Sequence, residues 1–194
     1  MSEQEVMLVT GASKGIGLAT VIQALKGGYA VAATSRNVDR LAAEVAQAAP
    51  DQQAQFLPLE MQFEATSIQA VVAKVMAQWG RLDVLVNNAG YAILGAFEEF
   101  SLAEVKQNFD VNVFGLMQMT QAVLPIMRAQ QHGRIINLAS ISGTVTGPSQ
   151  SIYSATKAAV IMMSEALAAE VAPFGIQVRS GRVGCGLTFW MRVR

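Results

Sequence analysis

Residues 6–17 of the chain, VMLVTGASKGIG, join a short apolar run to a glycine-rich segment. The run Val6–Thr10 predicts a buried strand, because short apolar segments that end at a glycine are typical of parallel sheets. The next segment has the spacing G-x-x-x-G-x-G, at Gly11, Gly15 and Gly17, and leads into a helix predicted over Gly15–Lys26. Such a turn lets the backbone approach a pyrophosphate, which binds at the helix N-terminus. The alternative is a purely structural turn.

The rest of the chain continues this alternation of strands and helices. Further strands are predicted over Tyr29–Ser35, Ala54–Leu59, Leu82–Asn87 and Gly133–Ser140, and a sixth begins over Ile176–Arg179, although residues 179–182 are poor material for a buried strand. Further helices are predicted over Val38–Ala49, Ser67–Trp79, residues 101–127 and Tyr153–Pro173, with Ser67 and Ser101 as N-caps. Regular alternation implies a doubly wound α/β fold, in which helices cover both faces of a parallel sheet in three layers. Ligands of such sheets bind beyond the carboxyl ends of the strands.

Composition limits the classes of function. The chain has 194 residues, 52% of them hydrophobic, and a formal net charge of zero, so no electrostatic argument favours nucleic acid or an anionic membrane as partner. Cys185 is the single cysteine, which fits a reduced compartment. The N-terminus lacks the pattern of a signal peptide, and no apolar run is long enough to span a bilayer. We therefore expect a cytoplasmic protein. His132, the single histidine, has no partners for a metal site.

The end of the second predicted strand bears on the choice of nucleotide. An acid at this point binds the ribose 2′-hydroxyl of NAD, whereas an arginine suits the 2′-phosphate of NADP. Here the strand ends at Ser35-Arg36, and Lys14 lies in the glycine turn. Both cations favour NADP(H), although Arg36 could equally be a surface charge, and NAD stays an alternative. We interpret Asp39 as a first-turn helix acid rather than as a ribose ligand.

Asn87-Asn88-Ala89-Gly90 follows the fourth predicted strand. Its small residues permit close approach of the backbone, and its amides can brace neighbouring strands. A simple turn is the alternative.

The stretch SIYSATK, residues 151–157, places Tyr153 and Lys157 four residues apart at the start of a helix, where they share one face. A free phenol has a pKa of about 10, and a neighbouring ammonium favours the phenolate. Tyr153 could then act as general acid or base toward a carbonyl or alcohol. Ser140 ends the fifth strand, from which its hydroxyl would hold the substrate oxygen. The alternative is a solvated lysine beside an aromatic ring.

In this order the motifs resemble those of the short-chain dehydrogenase/reductase family, which has a Rossmann fold, over about residues 5–178. The resemblance implies hydride transfer between NADP(H) and a small-molecule carbonyl or secondary alcohol. It implies the catalytic set Asn112, Ser140, Tyr153 and Lys157, in which Asn112 holds a water for a proton relay. We assign cofactor contacts to Gly11, Ser13, Lys14, Gly15, Ile16, Gly17, Arg36, Glu60, Asn87, Ala89, Gly90, Tyr153 and Lys157. Glu60 stands where members usually carry an aspartate.

The family also commonly pairs through the long helices predicted at 101–127 and 153–173. These two helices carry more apolar surface than one face of a sheet needs. We therefore expect a homo-oligomer, either a dimer or a tetramer.

The resemblance stops in the segment VRSGRVGCGLTFWMRVR, residues 178–194. Members usually continue through a Pro-Gly turn, a substrate-covering segment and a seventh strand. We therefore divide the chain into a Rossmann domain, residues 1–178, and an atypical tail, residues 179–194, and expect the last strand to be missing. The tail is either a truncated terminus or an adaptation. We predict that the catalytic residues are present while activity is low or absent; the alternative is a non-catalytic dinucleotide-binding or interaction protein.

Overall fold

The computed structural model of the protein describes residues 4–184. Its six strands are β1 (Val6–Val9), β2 (Ala30–Ser35), β3 (Phe56–Glu60), β4 (Val84–Asn87), β5 (Gly133–Ser140) and β6 (Ile176–Val183). Its α-helices are α1 (Gly15–Lys26), α2 (Val38–Ala48), α3 (Ala65–Trp79), α4 (Leu102–Phe109), α5 (Leu116–Gln130) and α6 (Ser151–Val171). All strand pairs are parallel, in the order β3-β2-β1-β4-β5-β6. The chain therefore has the predicted doubly wound fold.

Two apolar clusters form the layers on either side of the sheet. Strand β1 shows how they arise, because successive strand side chains point to opposite faces. Val6 and Leu8 pack in one cluster with α3, α5 and the end of α6. Met7 and Val9 pack in the other cluster with α1 and α2. The strand order reverses between β1 and β4, so the carboxyl ends of these strands open onto the crevice where ligands of this architecture bind.

Strand β6 is longer than the sequence predicts. Residues 179–182 look unsuitable for a buried strand, yet β6 pairs with β5 as far as Val183, opposite Ser140. The reason is that β6 is the last strand of the described sheet, where Gln177 and Arg179 are exposed. The predicted domain boundary after residue 178 thus falls inside a strand. Residues 185–194, and with them the predicted loss of a seventh strand, lie outside the described residues.

The helix predicted over residues 101–127 is interrupted. Helix α4 begins at Ser101 with the predicted cap, which is a full capping box with Glu104. It ends at Phe109, and a π-helical turn, Asp110–Gly115, separates it from α5. A π-turn contains one extra residue, which turns side chains away from their regular positions and is frequent at functional sites.

The other differences are local. Ser67 does not cap α3, which begins two residues earlier; its hydroxyl accepts a hydrogen bond from the Gln62 amide instead. A 3₁₀-helix, Pro50–Gln55, precedes β3 and delays its start to Phe56. Within residues 4–184, no helix combines the length and apolarity needed to cross a membrane.

Candidate active site

Two glycines allow the turn after β1 to pack closely against the segment after β4. Gly11 has φ +67°, and a Cβ placed on it would lie 2.7 Å from Ala89 Cα. A Cβ on Gly17 would contact the Asn88 side chain and lie 2.7 Å from the Gly11 carbonyl oxygen. Gly15 has φ +58° with no atom within 4 Å of such a Cβ, so only its backbone conformation favours glycine there.

Thr10 and Asn88 fasten the glycine turn to the end of β4. Asn88 Nδ2 donates to the carbonyl oxygens of Thr10 and Gly11, each at 2.9 Å. Thr10 Oγ1 accepts from the backbone amides of Asn88 and Ala89, each at 3.1 Å. The site predicted from the sequence included neither Thr10 nor Asn88. Two features of the sequence could have indicated them: Thr10 is a hydroxyl residue directly before the first glycine, and Asn88 is the second asparagine of the Asn-Asn pair.

The ends of β1, β2 and β3 present groups that fit a dinucleotide phosphate. Helix α1 follows Lys14, whose side chain forms no capping hydrogen bond, so its first backbone N–H groups have no side-chain partner. Lys14 and Arg36 are exposed, and neither side chain forms an ion pair or hydrogen bond within the described residues. Glu60 is exposed at the end of β3. A turn too tight for a Cβ, free N–H groups and two unpaired cations form a suitable cradle for a pyrophosphate with a 2′-phosphate.

The segment after β2 contains Asp39, the residue that the sequence offered as an alternative ribose ligand. Asp39 lies in the first turn of α2, as we interpreted it, and Asn37 caps that helix by accepting a hydrogen bond from the Arg40 amide at 2.9 Å.

Asn87 braces the sheet from inside. Its buried Nδ2 donates to Asn137 Oδ1 on β5 at 2.9 Å and to Thr120 Oγ1 on α5 at 3.0 Å. Asn137 Nδ2 in turn donates to Ser164 Oγ on α6 at 2.9 Å. We call these four residues the amide ladder. It agrees with the expected bracing role, whereas the predicted cofactor contact of Asn87 stays a prediction, since this side chain is buried.

Lys157 is the one ammonium buried in the described part of the chain, with 5% of the residue exposed. Its Nζ donates to the Leu138 carbonyl oxygen of β5 at 2.7 Å and lies 5.8 Å from the centre of the Tyr153 ring. Burial lowers the pKa of the Lys157 ammonium to about 8, because the charged form loses hydration. A Cβ on Gly90 would lie 3.4 Å from Nζ. The lysine is thus buried and anchored to β5 close to the Tyr153 ring, and not a solvated charge.

Asn112 lies in the π-turn and is fully buried. Its Oδ1 accepts from the Tyr91 amide at 3.0 Å, and its Nδ2 donates to the Tyr91 carbonyl at 2.9 Å. Nδ2 also donates to Thr156 Oγ1 at 3.1 Å. The side chain therefore has protein partners at both ends, and the predicted water-holding role stays a prediction.

Ser140 and Tyr153 complete the arrangement. Ser140 Oγ accepts from the Ser142 amide at 3.1 Å and donates to the Val183 carbonyl at 3.4 Å. The turn after Ser140 packs on α6, since a Cβ on Gly143 would lie 2.7 Å from the Lys157 carbonyl carbon. Tyr153 is half-buried in the first turn of α6. The four predicted catalytic residues thus lie on neighbouring elements at the carboxyl ends of β4 and β5.

His132, which the sequence did not favour as a metal ligand, lies at the amino end of β5, where its Nε2 is 3.6 Å from the Glu5 carboxylate. Glu98 and Glu99, interpreted from the sequence as solvated residues rather than a catalytic pair, are exposed. For Phe97 and Phe100 the sequence left open whether they line a substrate pocket or cover the core. Phe97 is 68% exposed and does not cover the core, whereas Phe100 is half-buried against Gly95.

Comparison with known proteins gives consistent results. A sequence profile of a family described as "short chain dehydrogenase" matches residues 5–192. The chain is 39% identical over 176 residues to a 3-ketodihydrosphingosine reductase of Bacteroides thetaiotaomicron, covering 91% of this chain and 62% of that protein. It is 39% identical over 191 residues to a probable NADP-dependent dehydrogenase of Haemophilus influenzae, covering 96% of this chain and 74% of that protein.

Solved structures agree. A short-chain dehydrogenase from Streptomyces avermitilis superposes with a TM-score of 0.90 at 40% identity, covering 98% of this chain and 69% of that one. A structure described as ElxO with NADP bound superposes with a TM-score of 0.86 at 27% identity, covering 91% and 72%. The chain spans about three fifths of the length of the first curated relatives.

Proposed function

The chain belongs to the short-chain dehydrogenase family, and on that premise we propose that it is an NADP(H)-dependent oxidoreductase acting on a carbonyl or a secondary alcohol. The observation that carries the proposal is the buried Lys157 ammonium, which lies 5.8 Å from the Tyr153 ring at the carboxyl end of β5. A buried cation is costly unless it is paired or hydrogen-bonded, and Lys157 has one such bond, to the Leu138 carbonyl oxygen. It lies near the ring of Tyr153, the residue that the family motif makes an acid or base.

In this proposal Tyr153 gives a proton to a carbonyl oxygen, or takes one from an alcohol. Lys157 stabilises the phenolate that remains, and the Leu138 carbonyl keeps the ammonium in place. Ser140 exchanges its bond to the Val183 carbonyl for one to the substrate oxygen. When bound, the nicotinamide supplies or accepts the hydride. The residues of the chain bind and orient the reactants and move the proton.

The preference for NADP over NAD is supported by Arg36 and Lys14, which are exposed and unpaired in the described part of the chain. It is also supported by the NADP-dependent relative and the NADP-bound structure. We expect Arg36→Ala to weaken NADPH binding about 10- to 100-fold, because a hydrogen bond to a charged group contributes about 1.5–3 kcal/mol. Its affinity for NADH should not change. Fluorescence titration with each nucleotide measures both affinities, and equal losses would contradict the assignment of Arg36 to the 2′-phosphate.

The catalytic proposal is tested by Tyr153→Phe. The variant should lose at least about 100-fold in turnover, since a positioned acid or base contributes about that much or more, while its NADPH affinity stays unchanged. The substrate panel consists of aldehydes and ketones and includes a long-chain 3-ketone, because one relative is named for such a substrate.

Tyr29→Phe is the matched control, since Tyr29 is far from the crevice and interacts with Arg134. Normal turnover in Tyr153→Phe would contradict the mechanism. Tight NADPH binding by the wild type with no turnover on any substrate would instead favour the non-catalytic dinucleotide-binding protein. The same assay measures whether activity is as low as the sequence predicts.

We also propose that the chain acts in the cytoplasm as a homo-oligomer. The support is the exposed apolar surface of the helices expected to pair, which includes Leu102 on α4, Met117 on α5 and Met162 on α6.

A further inference from the structure

Thr156 connects two catalytic elements through one buried hydroxyl. The residue is fully buried on α6, between Tyr153 and Lys157. Its Oγ1 donates to the Tyr153 carbonyl oxygen at 2.7 Å and accepts from Asn112 Nδ2 at 3.1 Å. The first bond is an ordinary way for a helical threonine to satisfy its hydroxyl. The second is not local, because Asn112 belongs to the π-turn, 44 residues earlier in the chain.

The Asn112 amide extends this connection to the segment after β4. Asn112 holds both the amide and the carbonyl of Tyr91. Asn108, one helical turn earlier and also buried, donates to the same carbonyl at 3.0 Å. A continuous series of hydrogen bonds, buried at the Asn112–Thr156 step and part-buried at both ends, thus runs from the Tyr91 peptide through Asn112 and Thr156 to the main chain of Tyr153.

Lys157 is held by a different contact. Its Nζ is anchored to the Leu138 carbonyl on β5, so Lys157 does not depend on Thr156 for its place. On the same helix, the Lys157 side chain is therefore anchored to β5, whereas the Tyr153 main chain is connected to the π-turn. Loss of the Thr156 hydroxyl would release the tyrosine end of the pair from the π-turn and leave the lysine end in place.

We propose that Thr156 is a positioning residue, which ties the main chain of Tyr153 to the Asn112 amide and so sets the position of the phenol relative to Lys157. Its effect on catalysis rests on the proposed function. The hydroxyl acts through Tyr153 and does not itself touch the reactants. A misplacement of about 1 Å can reduce a rate about 100-fold. Loss of the Thr156 hydroxyl would misplace the Tyr153 phenol, so it affects turnover more than it affects binding.

The test compares variants that keep or lose the hydroxyl. Thr156→Val keeps the shape of the side chain, and we expect it to lower kcat about 10- to 100-fold with KM and NADPH affinity within about threefold of the wild type. Thr156→Ser restores the hydroxyl and should restore kcat to within about threefold. Thr156→Ala also removes the hydroxyl but adds no second methyl group to the buried site. It replaces Thr156→Val in the test if the valine variant does not fold.

Ser164→Ala is the matched control. Ser164 is also buried on α6, accepts from an asparagine amide at 2.9 Å and donates to the Val160 carbonyl at 2.6 Å. It lies about 16 Å along the helix from Tyr153, so its loss should reduce stability without the selective fall in kcat. Wild-type kcat in Thr156→Val overturns the proposal. Equal loss of kcat in Thr156→Val, Thr156→Ser and Ser164→Ala also overturns it, since the role would then be general stability.

A second measurement separates this inference from the proposed function. If the wild type turns over no substrate, the proposed function fails. Amide hydrogen exchange then still tests whether Thr156 connects the π-turn to the start of α6. We expect Thr156→Val, but neither Thr156→Ser nor Ser164→Ala, to raise exchange both in Asp110–Gly115 and in Ser151–Lys157. Unchanged exchange in either segment overturns the connection between the two elements.

Discussion

The ammonium of Lys157 lies in a site that disfavours its own charge. Burial lowers its pKa to about 8, whereas a lysine in the unfolded chain has a pKa near 10.5. Below pH 8 both states carry the proton, so the folded state bears the full cost of burying the charge. Between about pH 8 and pH 10.5 the folded state has released the proton while the unfolded state keeps it. The free energy of unfolding should therefore rise with pH in this window.

Lys157→Met isolates this effect, because methionine fills a similar volume without a charge. We expect the free energy of unfolding of the wild type to rise by about 2 kcal/mol relative to this variant between pH 7 and pH 10, from a shift of roughly 1.4 kcal/mol per pKa unit. Urea denaturation of both proteins at the two pH values measures it. Lys106→Met, at an exposed lysine on α4, controls for the loss of one charge. A constant difference between wild type and Lys157→Met would contradict the assigned desolvation.

At the level of single residues, the spacing along a helix was sufficient to predict which side chains lie close together. Tyr153 and Lys157 share a helix face because of their spacing alone, and the structure places them together. Thr156 lies between them in the same motif, yet its role depends on Asn112, which only the folded chain brings near. Thr10 and Asn88 were missed for the same reason: their partners lie 77–79 residues away along the chain.

Among the elements, the turn between β1 and α1 gives the most direct test of packing. Gly11→Ala would combine a positive φ with a Cβ 2.7 Å from Ala89 Cα. We expect it to lower the free energy of unfolding by about 3 kcal/mol and NADPH affinity more than about 10-fold, because the turn must move away from the end of β4. Chemical denaturation and nucleotide titration measure the two effects.

Gly28→Ala provides the comparison. Gly28 has φ +89° with no atom within 4 Å of an added Cβ, and it lies at the other end of α1. Its substitution should cost only the backbone strain, about 1 kcal/mol, and leave NADPH affinity unchanged. Similar losses of affinity in both variants would show that the contact with Ala89 does not matter for binding.

The limits of the helices and strands show where the local sequence pattern no longer predicts the structure. Helix α1 and strand β5 have the predicted limits, since a glycine turn precedes α1 and β5 is a short, mainly apolar segment that begins at Gly133. The π-turn between α4 and α5 has no such mark. It accommodates Asn112, whose amide is drawn to the Tyr91 peptide and Thr156 by contacts between distant parts of the chain. Strand β6 extends beyond the predicted point because pairing with β5 outweighs its poor composition.

For the whole molecule, the exposed apolar residues of the helices expected to pair predict a defined oligomer. We expect light scattering to give two or four times the chain mass of 20.7 kDa. Met162→Glu should lower this mass, because Met162 is 64% exposed on α6 and a charge there would have to be buried on association. Ala46→Glu, on the exposed side of α2, should leave it unchanged. A wild type that is strictly monomeric would contradict the prediction.

The amide ladder has a consequence for how the strands of the protein can move. Sliding of β4 past β5 would break the hydrogen bond between the buried side chains of Asn87 and Asn137, and a buried polar group that loses its partner costs about 1–3 kcal/mol. The amide ladder therefore holds β4 and β5 in fixed register. If the chain has the proposed activity, reactants would enter and leave past the connections at the carboxyl ends of these strands, chiefly residues 91–100 and 141–150, while the register of the central strands stays the same.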